Sequence, residues 1–138
     1  MFSHVTVGTN DIAAAKAFYD AVLAPLGIVC RYADADWLGY GPPEGLTLAN
    51  GASIAQLCVM KPFDGRPATS GNGWHVALIA PDHAAVHAFH SAALAAGGLD
   101  DGPPGPRPRY GPLYYAAYVR DLDGNKLQAV SYSGRGAS

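Results

Sequence analysis

The sequence repeats itself at a spacing of 71 residues, and this repeat restricts the folds that the chain can adopt. Between His4/His75 and Gly27/Gly98, 11 of 24 positions are identical without a gap. Such self-similarity predicts that one supersecondary unit occurs twice and that the two copies pack on each other. The 138 residues, 49% hydrophobic and 14% charged, are enough for one domain with a sizeable core.

Each copy begins with a strand that leads into a helix. The apolar runs 2–7 and 74–80 predict the two strands. Asp11 and Asp82 follow these runs, where a side-chain acceptor can cap the N-terminus of a helix. Alanine-rich segments of helical period then extend to about residues 24 and 96, and glycines follow them.

Further strands complete each copy. In the last hairpin, the dipeptide Asp123-Gly124 before Asn125 is a strong turn signal. The segment 102–112, GPPGPRPRYGP, is too rich in proline for a regular element and predicts a loop. The sequence therefore predicts βαβββ twice, in modules at about 1–62 and 73–132. The strands expected after the helices lie near 28–33, 36–41, 52–60, 113–120 and 125–131.

Two segments of the chain resemble a known family. HVTVGTNDIAAAKAFYDAVLAPLGI is similar to the first strand and helix of the vicinal-oxygen-chelate superfamily, and YYAAYVRDLDGNKLQAV to its closing hairpin. That superfamily contains glyoxalase I, the bleomycin-resistance proteins and the extradiol dioxygenases. The resemblance covers nearly the whole chain and implies an α+β fold, in which two tandem βαβββ modules form curved mixed sheets around a cavity. It also implies a small-molecule ligand and a homodimer.

The resemblance further implies a divalent metal, zinc, nickel or iron, held by one histidine and one glutamine from each module. These residues are His4, Gln56, His75 and Gln128. Relatives carry glutamate at some of the glutamine positions. A neutral amide neither balances the metal charge nor acts as a general base, so we expect weak or absent metal binding. Alternatively, the two glutamines hydrogen-bond the histidines within a polar cavity.

A second group of histidines lies on one face of the second predicted helix. His83, His87 and His90 have the spacing that brings side chains together on a helix, which is compatible with zinc. The core face is better drawn through Val86 and Phe89, which leaves His83 and His87 on a solvated side.

Four residues are candidates for binding a small molecule. Trp37, Tyr110 and Tyr118 lie in segments that would line or cover a sheet and suit stacking on a planar ligand. Arg109, beside Tyr110, could bind a carboxylate or phosphate. The alternatives are that the aromatic residues belong to the core or an interface, and that the arginine is a solvated loop charge.

Charge and composition exclude several classes of protein. The formal net charge of −2 provides no basic surface for nucleic acid or an anionic membrane. The start of the chain lacks the features of a signal peptide, and every apolar run is too short to span a bilayer. Cys30 and Cys58 do not define a disulfide framework, so we expect a reduced, cytoplasmic protein.

Two functions from different classes are compatible with these features. The first is a glyoxalase- or dioxygenase-like protein in which a metal assists lyase or dioxygenase chemistry on a small molecule. The alternative is a metal-free binding or resistance protein that sequesters a flat aromatic or cationic compound. A third reading is a member of the fold that acts mainly through dimer contacts. Chelator-sensitive turnover would distinguish the enzyme, and saturable binding without metal would distinguish the sequestering protein.

Overall fold

A computed structural model describes residues 1–134, and its first module is built around a four-stranded mixed sheet. The elements are β1 (Val5–Gly8), α1 (Ile12–Leu23), β2 (Val29–Ala33), β3 (Trp37–Gly41), β4 (Leu46–Thr47), β5 (Ser53–Ile54) and β6 (Leu57–Met60). Sheet one has the order β1-β6-β3-β2, with β1 parallel to β6 and the other neighbours antiparallel. Strands β4 and β5 pair only with each other.

The second module repeats this arrangement. Its elements are β7 (Val76–Ile79), α2 (His83–Ala95), β8 (Leu99–Pro106), β9 (Tyr115–Arg120) and β10 (Lys126–Ser131). Sheet two has the order β7-β10-β9-β8, and β7 is parallel to β10 as β1 is to β6. The α+β class and the two βαβββ modules predicted from the sequence are therefore confirmed.

The helices begin where the sequence predicts. The Asp11 carboxylate accepts a hydrogen bond from the Ala14 N–H at 3.0 Å, and Asp82 does the same for Ala85 at 2.9 Å. These bonds satisfy backbone donors that have no partner inside the helix. Each helix then buries an apolar stripe against its sheet. The fully buried residues of these stripes include Phe18, Val22, Leu23, Val86, Phe89 and Ala93.

Only one face of each sheet is covered by helices. In β6, Leu57 and Val59 belong to the core, so Cys58 between them points to the other side. In β10, Leu127 and Ala129 belong to the core and Gln128 points away from it. We call the opposite side of each sheet its helix-free face, and it carries the polar and aromatic side chains discussed below.

Hydrogen bonds fasten the last hairpin of the second module onto the first. The Asn125 amide donates to the Gly8 carbonyl at 2.8 Å, and the buried carboxylate of Asp121 accepts from the Tyr19 hydroxyl. Burial, followed by the charge of Asp121, raises the pKa of Tyr19 well above its ordinary value, so this hydroxyl remains a donor. Helix α1 also packs against α2, and the two modules thus form one body.

Two predictions about loops and strands are wrong. Residues 102–106, part of the predicted loop 102–112, belong to β8, which pairs antiparallel with β9. Proline lacks an N–H, but β8 is an edge strand with register shifts around Gly102, where a missing donor costs little. The predicted strand 52–60 is divided into β5 and β6.

Within residues 1–134, no helix has the length and apolar character required to cross a membrane.

Candidate functional site

Each module places one histidine and one glutamine at the ends of two neighbouring strands. His4 and Gln56 immediately precede β1 and β6, where the Val5 N–H donates to the Gln56 carbonyl at 2.9 Å. His75 immediately precedes β7, and Gln128 lies in the adjacent strand β10. Because side chains alternate along a strand, all four belong to the helix-free faces.

The second pair is joined by hydrogen bonds. The Nε2 atom of His75 lies 3.0 Å from the Oε1 atom of Gln128, and the Gln128 amide nitrogen donates to the Tyr114 hydroxyl at 2.6 Å. Gln128 is only 1% exposed, and a buried amide without partners would be costly. For this pair, the structure has the hydrogen bond that the sequence left as the alternative to metal ligation.

Tyr118 completes the polar centre on sheet two. Its ring meets the His75 ring edge to face, with centroids 5.7 Å apart. Burial, followed by the neighbouring Tyr114, raises the pKa of Tyr118 above its ordinary value, so the phenol is protonated at neutral pH.

The first pair is open to solvent. His4 and Gln56 are both exposed and line a cavity of about 400 Å³ that extends to β7. The His4 Nδ1 atom lies 2.8 Å from the Ser3 hydroxyl. No hydrogen bond joins the His4 and Gln56 side chains within the described part of the chain, and neither His75 nor Gln128 lines this cavity. The structure therefore brings the four predicted ligands together as two separate pairs.

A larger cavity of about 570 Å³ lies on the helix-free face of sheet one. We call it the sheet-one cavity. The rings of Tyr32 and Trp37 form one wall, stacked with centroids 4.2 Å apart and planes inclined by 23°. No aspartate or glutamate lines the cavity, whose other walls include His4, Arg31, Cys58 and Met60.

Asp34 orders the turn that carries the aromatic wall. Its Oδ1 atom accepts from the backbone N–H groups of Asp36 and Trp37 at 2.8 and 2.9 Å. Its Oδ2 atom accepts from the Tyr32 hydroxyl at 2.7 Å. The Tyr32 hydrogen bond, followed by the two backbone bonds, lowers the pKa of Asp34 below its usual range. The carboxylate is therefore ionised at neutral pH and fixes both rings.

Cys58 lies at the base of the sheet-one cavity but lacks the environment of a nucleophile. The residue is 7% exposed, and burial raises the pKa of its thiol. Among residues 1–134, no cationic group lowers this pKa, so the thiol remains neutral near pH 7.

The four predicted ligand-binding residues do not share one site. Trp37 lines the sheet-one cavity, which contains none of the other three. Tyr118 lies on the helix-free face of sheet two. Arg109 and Tyr110 lie in a short 3₁₀ turn at Pro108–Tyr110, with the Arg109 guanidinium 5.0 Å from the Tyr110 ring centre.

The helix histidines have partners within the protein. His83 stacks on the Tyr115 ring at 3.6 Å, and the His87 Nε2 atom lies 2.6 Å from the Tyr115 hydroxyl. His90 pairs with Asp100 at 2.8 Å. His87 nevertheless remains exposed, as the sequence predicts, and His83 is half-buried. Among residues 1–134, no group of three or more histidine, cysteine, aspartate or glutamate side chains is arranged for a metal.

Sequence reasoning missed Arg31 and Tyr32 as cavity residues. The pairing of β2 with β3 shifts register between Cys30 and Tyr32, and both Arg31 and Tyr32 line the sheet-one cavity. A bulge turns consecutive side chains toward one side, which strand alternation does not predict. The one signal in the sequence that could have indicated these two cavity residues is that an arginine and a tyrosine are adjacent in a predicted strand.

Comparison with protein families gives a match over nearly the whole chain. The family described as "Glyoxalase/Bleomycin resistance protein/Dioxygenase superfamily" matches residues 1–129. The chain belongs to this superfamily. A search of curated proteins found no match.

Solved structures of the superfamily share the fold. A glyoxalase/bleomycin resistance protein from Albidiferax ferrireducens T118 is 39% identical, with a TM-score of 0.80 over 95% of this chain and 98% of that one. A glyoxalase-related enzyme from Fulvimarina pelagi is 19% identical, with a TM-score of 0.69 over 95% and 87% of the two chains. A lactoylglutathione lyase from Agrobacterium tumefaciens is 18% identical, with a TM-score of 0.58 over 95% and 92%. The last two similarities show the fold alone.

The metal that the superfamily resemblance implies does not fit the donors as this chain arranges them. The Nε2 atom of His75 and the Oε1 atom of Gln128 lie 3.0 Å apart, but both are neutral donors, and no third ligand of a metal cluster joins them within residues 1–134. The amide oxygen is a neutral donor, and His4 with Gln56 forms a separate pair. Nothing in the described residues supplies a carboxylate to either pair.

Proposed function

We propose that this superfamily member binds a flat aromatic small molecule in the sheet-one cavity without a resident metal. The observation that carries the proposal is that the pair His75 and Gln128 supplies only neutral donors and that no cluster of metal ligands surrounds it within the described residues. A metal at this pair would gain two neutral ligands, which leave its positive charge unbalanced.

The sheet-one cavity supports the ligand half of the proposal. Its volume of about 570 Å³ lies within the ordinary range for small-molecule sites. The stacked rings of Tyr32 and Trp37 present a rigid aromatic surface, which favours planar ligands through offset stacking. With a protonated Cys58 thiol in its walls, the cavity favours binding over nucleophilic chemistry.

Metal content tests the first half of the proposal. Purified protein is loaded separately with Zn²⁺, Ni²⁺ and Fe²⁺, desalted, and examined by elemental analysis beside His75→Ala. We expect far less than one equivalent of each metal in both proteins. Near-stoichiometric metal that His75→Ala loses would overturn the proposal and favour metal-dependent lyase or dioxygenase chemistry.

Intrinsic fluorescence tests the second half. Trp37 and Trp74 are the two tryptophans, so Trp74→Phe leaves Trp37 as the reporter. We expect saturable quenching of this variant by flat bicyclic and tricyclic aromatic compounds in the presence of a chelator. Trp37→Phe, which retains Trp74, serves as the matched control and should show no saturable change. Absence of saturable binding by the whole panel would contradict the proposal.

Association into a homodimer stays a prediction from the resemblance. Size-exclusion chromatography with light scattering measures the mass directly, and a mass equal to one chain would contradict it.

A further inference from the structure

We infer that the sheet-one cavity selects planar organic anions, which Arg31 recognises through its guanidinium. This inference rests on the proposed binding function and adds the chemical class of the ligand. It also reverses the sequence-based alternative of a cationic ligand.

A bulge in β2 turns Arg31 toward the cavity. The register with β3 shifts between Cys30 and Tyr32, so Arg31 has no paired position in the ladder. Its Cδ atom lies 3.4 Å from the point that a Cβ atom on Gly41 would occupy. The side chain therefore crosses over Gly41, and Arg31 and Tyr32 reach the same cavity although they are consecutive.

The neighbouring loop holds the guanidinium in place. Its Nη1 atom donates to the carbonyls of Pro42 and Pro43, and its Nη2 atom donates to the Ser53 hydroxyl at 3.0 Å. Gly45, at φ +70°, leaves the space in which the guanidinium lies, since a Cβ atom there would come within 2.9 Å of the Arg31 Cζ atom. A cation fixed in this way loses little freedom when it binds a ligand.

Within the described part of the chain, the charge of Arg31 has no acidic counterpart. No carboxylate of residues 1–134 forms an ion pair with it, whereas Arg120 pairs with Asp101 at 2.8 Å. Glu44 follows Pro43 in the loop that holds Arg31, but it is exposed and takes no part in these pairs. A fixed cation beside an aromatic wall, in a cavity without carboxylates, complements a flat molecule that carries a carboxylate or similar anion.

The second module repeats the pattern. The guanidinium of Arg107 donates to the carbonyls of Pro103, Gly105 and Pro106, and no acidic residue of the described chain pairs with it. The guanidinium of Arg107 lies 5.7 Å from the centre of the Tyr118 ring. Tyr118 is paired with Gln128 on the neighbouring strand. Two modules thus each hold an arginine by carbonyl groups on the helix-free side.

Three naphthalene derivatives of similar shape test the inference. Calorimetric titration of the full chain compares 2-naphthoate with the neutral 2-naphthylmethanol and the cationic 2-naphthylmethylammonium. We expect 2-naphthoate to bind at least about tenfold more tightly than either analogue. We expect Arg31→Gln to reduce this preference to less than about twofold, while Arg66→Gln, in an exposed loop, keeps it.

The outcomes separate the inference from the proposed function. Equal affinity for the three compounds, or an unchanged anion preference in Arg31→Gln, overturns the inference and leaves the binding function in place. No binding of any of the three overturns both. Arg31→Lys keeps the charge without the planar head, and we expect it to retain part of the preference. Urea unfolding curves of all variants identify any that fails to fold. If Arg31→Gln fails, Arg31→Lys takes its place in the comparison of the three compounds.

Discussion

The Asp123 carboxylate accepts a 2.6 Å hydrogen bond from the hydroxyl of Thr9, a residue 114 positions earlier in the chain. Its second oxygen accepts from the Asn10 N–H at 2.9 Å. The turn of the last hairpin is thus tied to the loop that precedes α1. This contact fixes the second module on the first, and with it the relative placement of the two helix-free faces.

Loss of this contact should weaken the whole domain. In Asp123→Ala, the hydroxyl of Thr9, a residue that is 1% exposed, loses its charged acceptor, and the Asn10 N–H loses its partner. We expect a loss of about 2 kcal/mol in the free energy of unfolding, measured by urea denaturation. Asp64→Ala, in an exposed loop, is the control and should stay within about 0.5 kcal/mol of wild type. Equal stability of both variants would show that the contact contributes nothing.

A carboxylate at residue 128 should restore part of a metal site. Gln128→Glu replaces a neutral donor with a charged one beside His75. We expect Ni²⁺ or Zn²⁺ affinity to rise at least tenfold, which is about 1.4 kcal/mol, in a calorimetric titration. The titration is carried out in a His83→Ala/His87→Ala background, so that this pair of histidines on α2 does not contribute. Adding His75→Ala should abolish the gain, and an unchanged affinity would remove residue 128 from the ligand set.

The link between Tyr32 and Asp34 should make stability depend on pH. The folded pKa of Asp34 lies below its ordinary value of 3.8, with the Tyr32 hydrogen bond as the largest cause. Asp34 therefore contributes stability that is fully present above that value and is lost as the pH falls through the folded pKa. We expect Tyr32→Phe to be less stable than wild type near neutral pH and the difference to shrink on acidification.

Urea denaturation from about pH 7 to about pH 2 measures this difference. Tyr132→Phe alters an exposed tyrosine and is the control, for which we expect no such pH dependence. A difference for Tyr32→Phe that stays constant across the whole range would contradict the role assigned to Asp34.

The Cys58 thiol should react slowly despite its place in the cavity. Because burial raises its pKa, little thiolate forms near neutral pH. In Cys30→Ser, Cys58 is the only cysteine, and we expect iodoacetamide to modify it at least about tenfold more slowly than glutathione. Mass spectrometry follows the reaction, with fully unfolded protein as the fast control. A rate equal to that of glutathione would indicate a reactive thiolate and make Cys58 a candidate nucleophile.

Local signals predicted most of the fold. Asp11 and Asp82 cap their helices, and Asp123-Gly124 turns the last hairpin, because capping and tight turns depend on a few consecutive residues. The proline-rich segment was misassigned because the cost of a missing N–H depends on whether the strand lies at a sheet edge. That position is a property of the assembled sheet.

The sequence by itself determined the repeat, the βαβββ order and the positions of the histidine and glutamine in each module. These features follow from self-similarity and from alternation along a strand. Only the tertiary structure decided that His75 hydrogen-bonds Gln128 while His4 and Gln56 line a separate cavity, and that Arg31 joins Trp37 at a third place, the sheet-one cavity. Those relationships depend on the register of the strands, on a bulge and on which charged groups form ion pairs. All three are determined by contacts between residues far apart in the sequence.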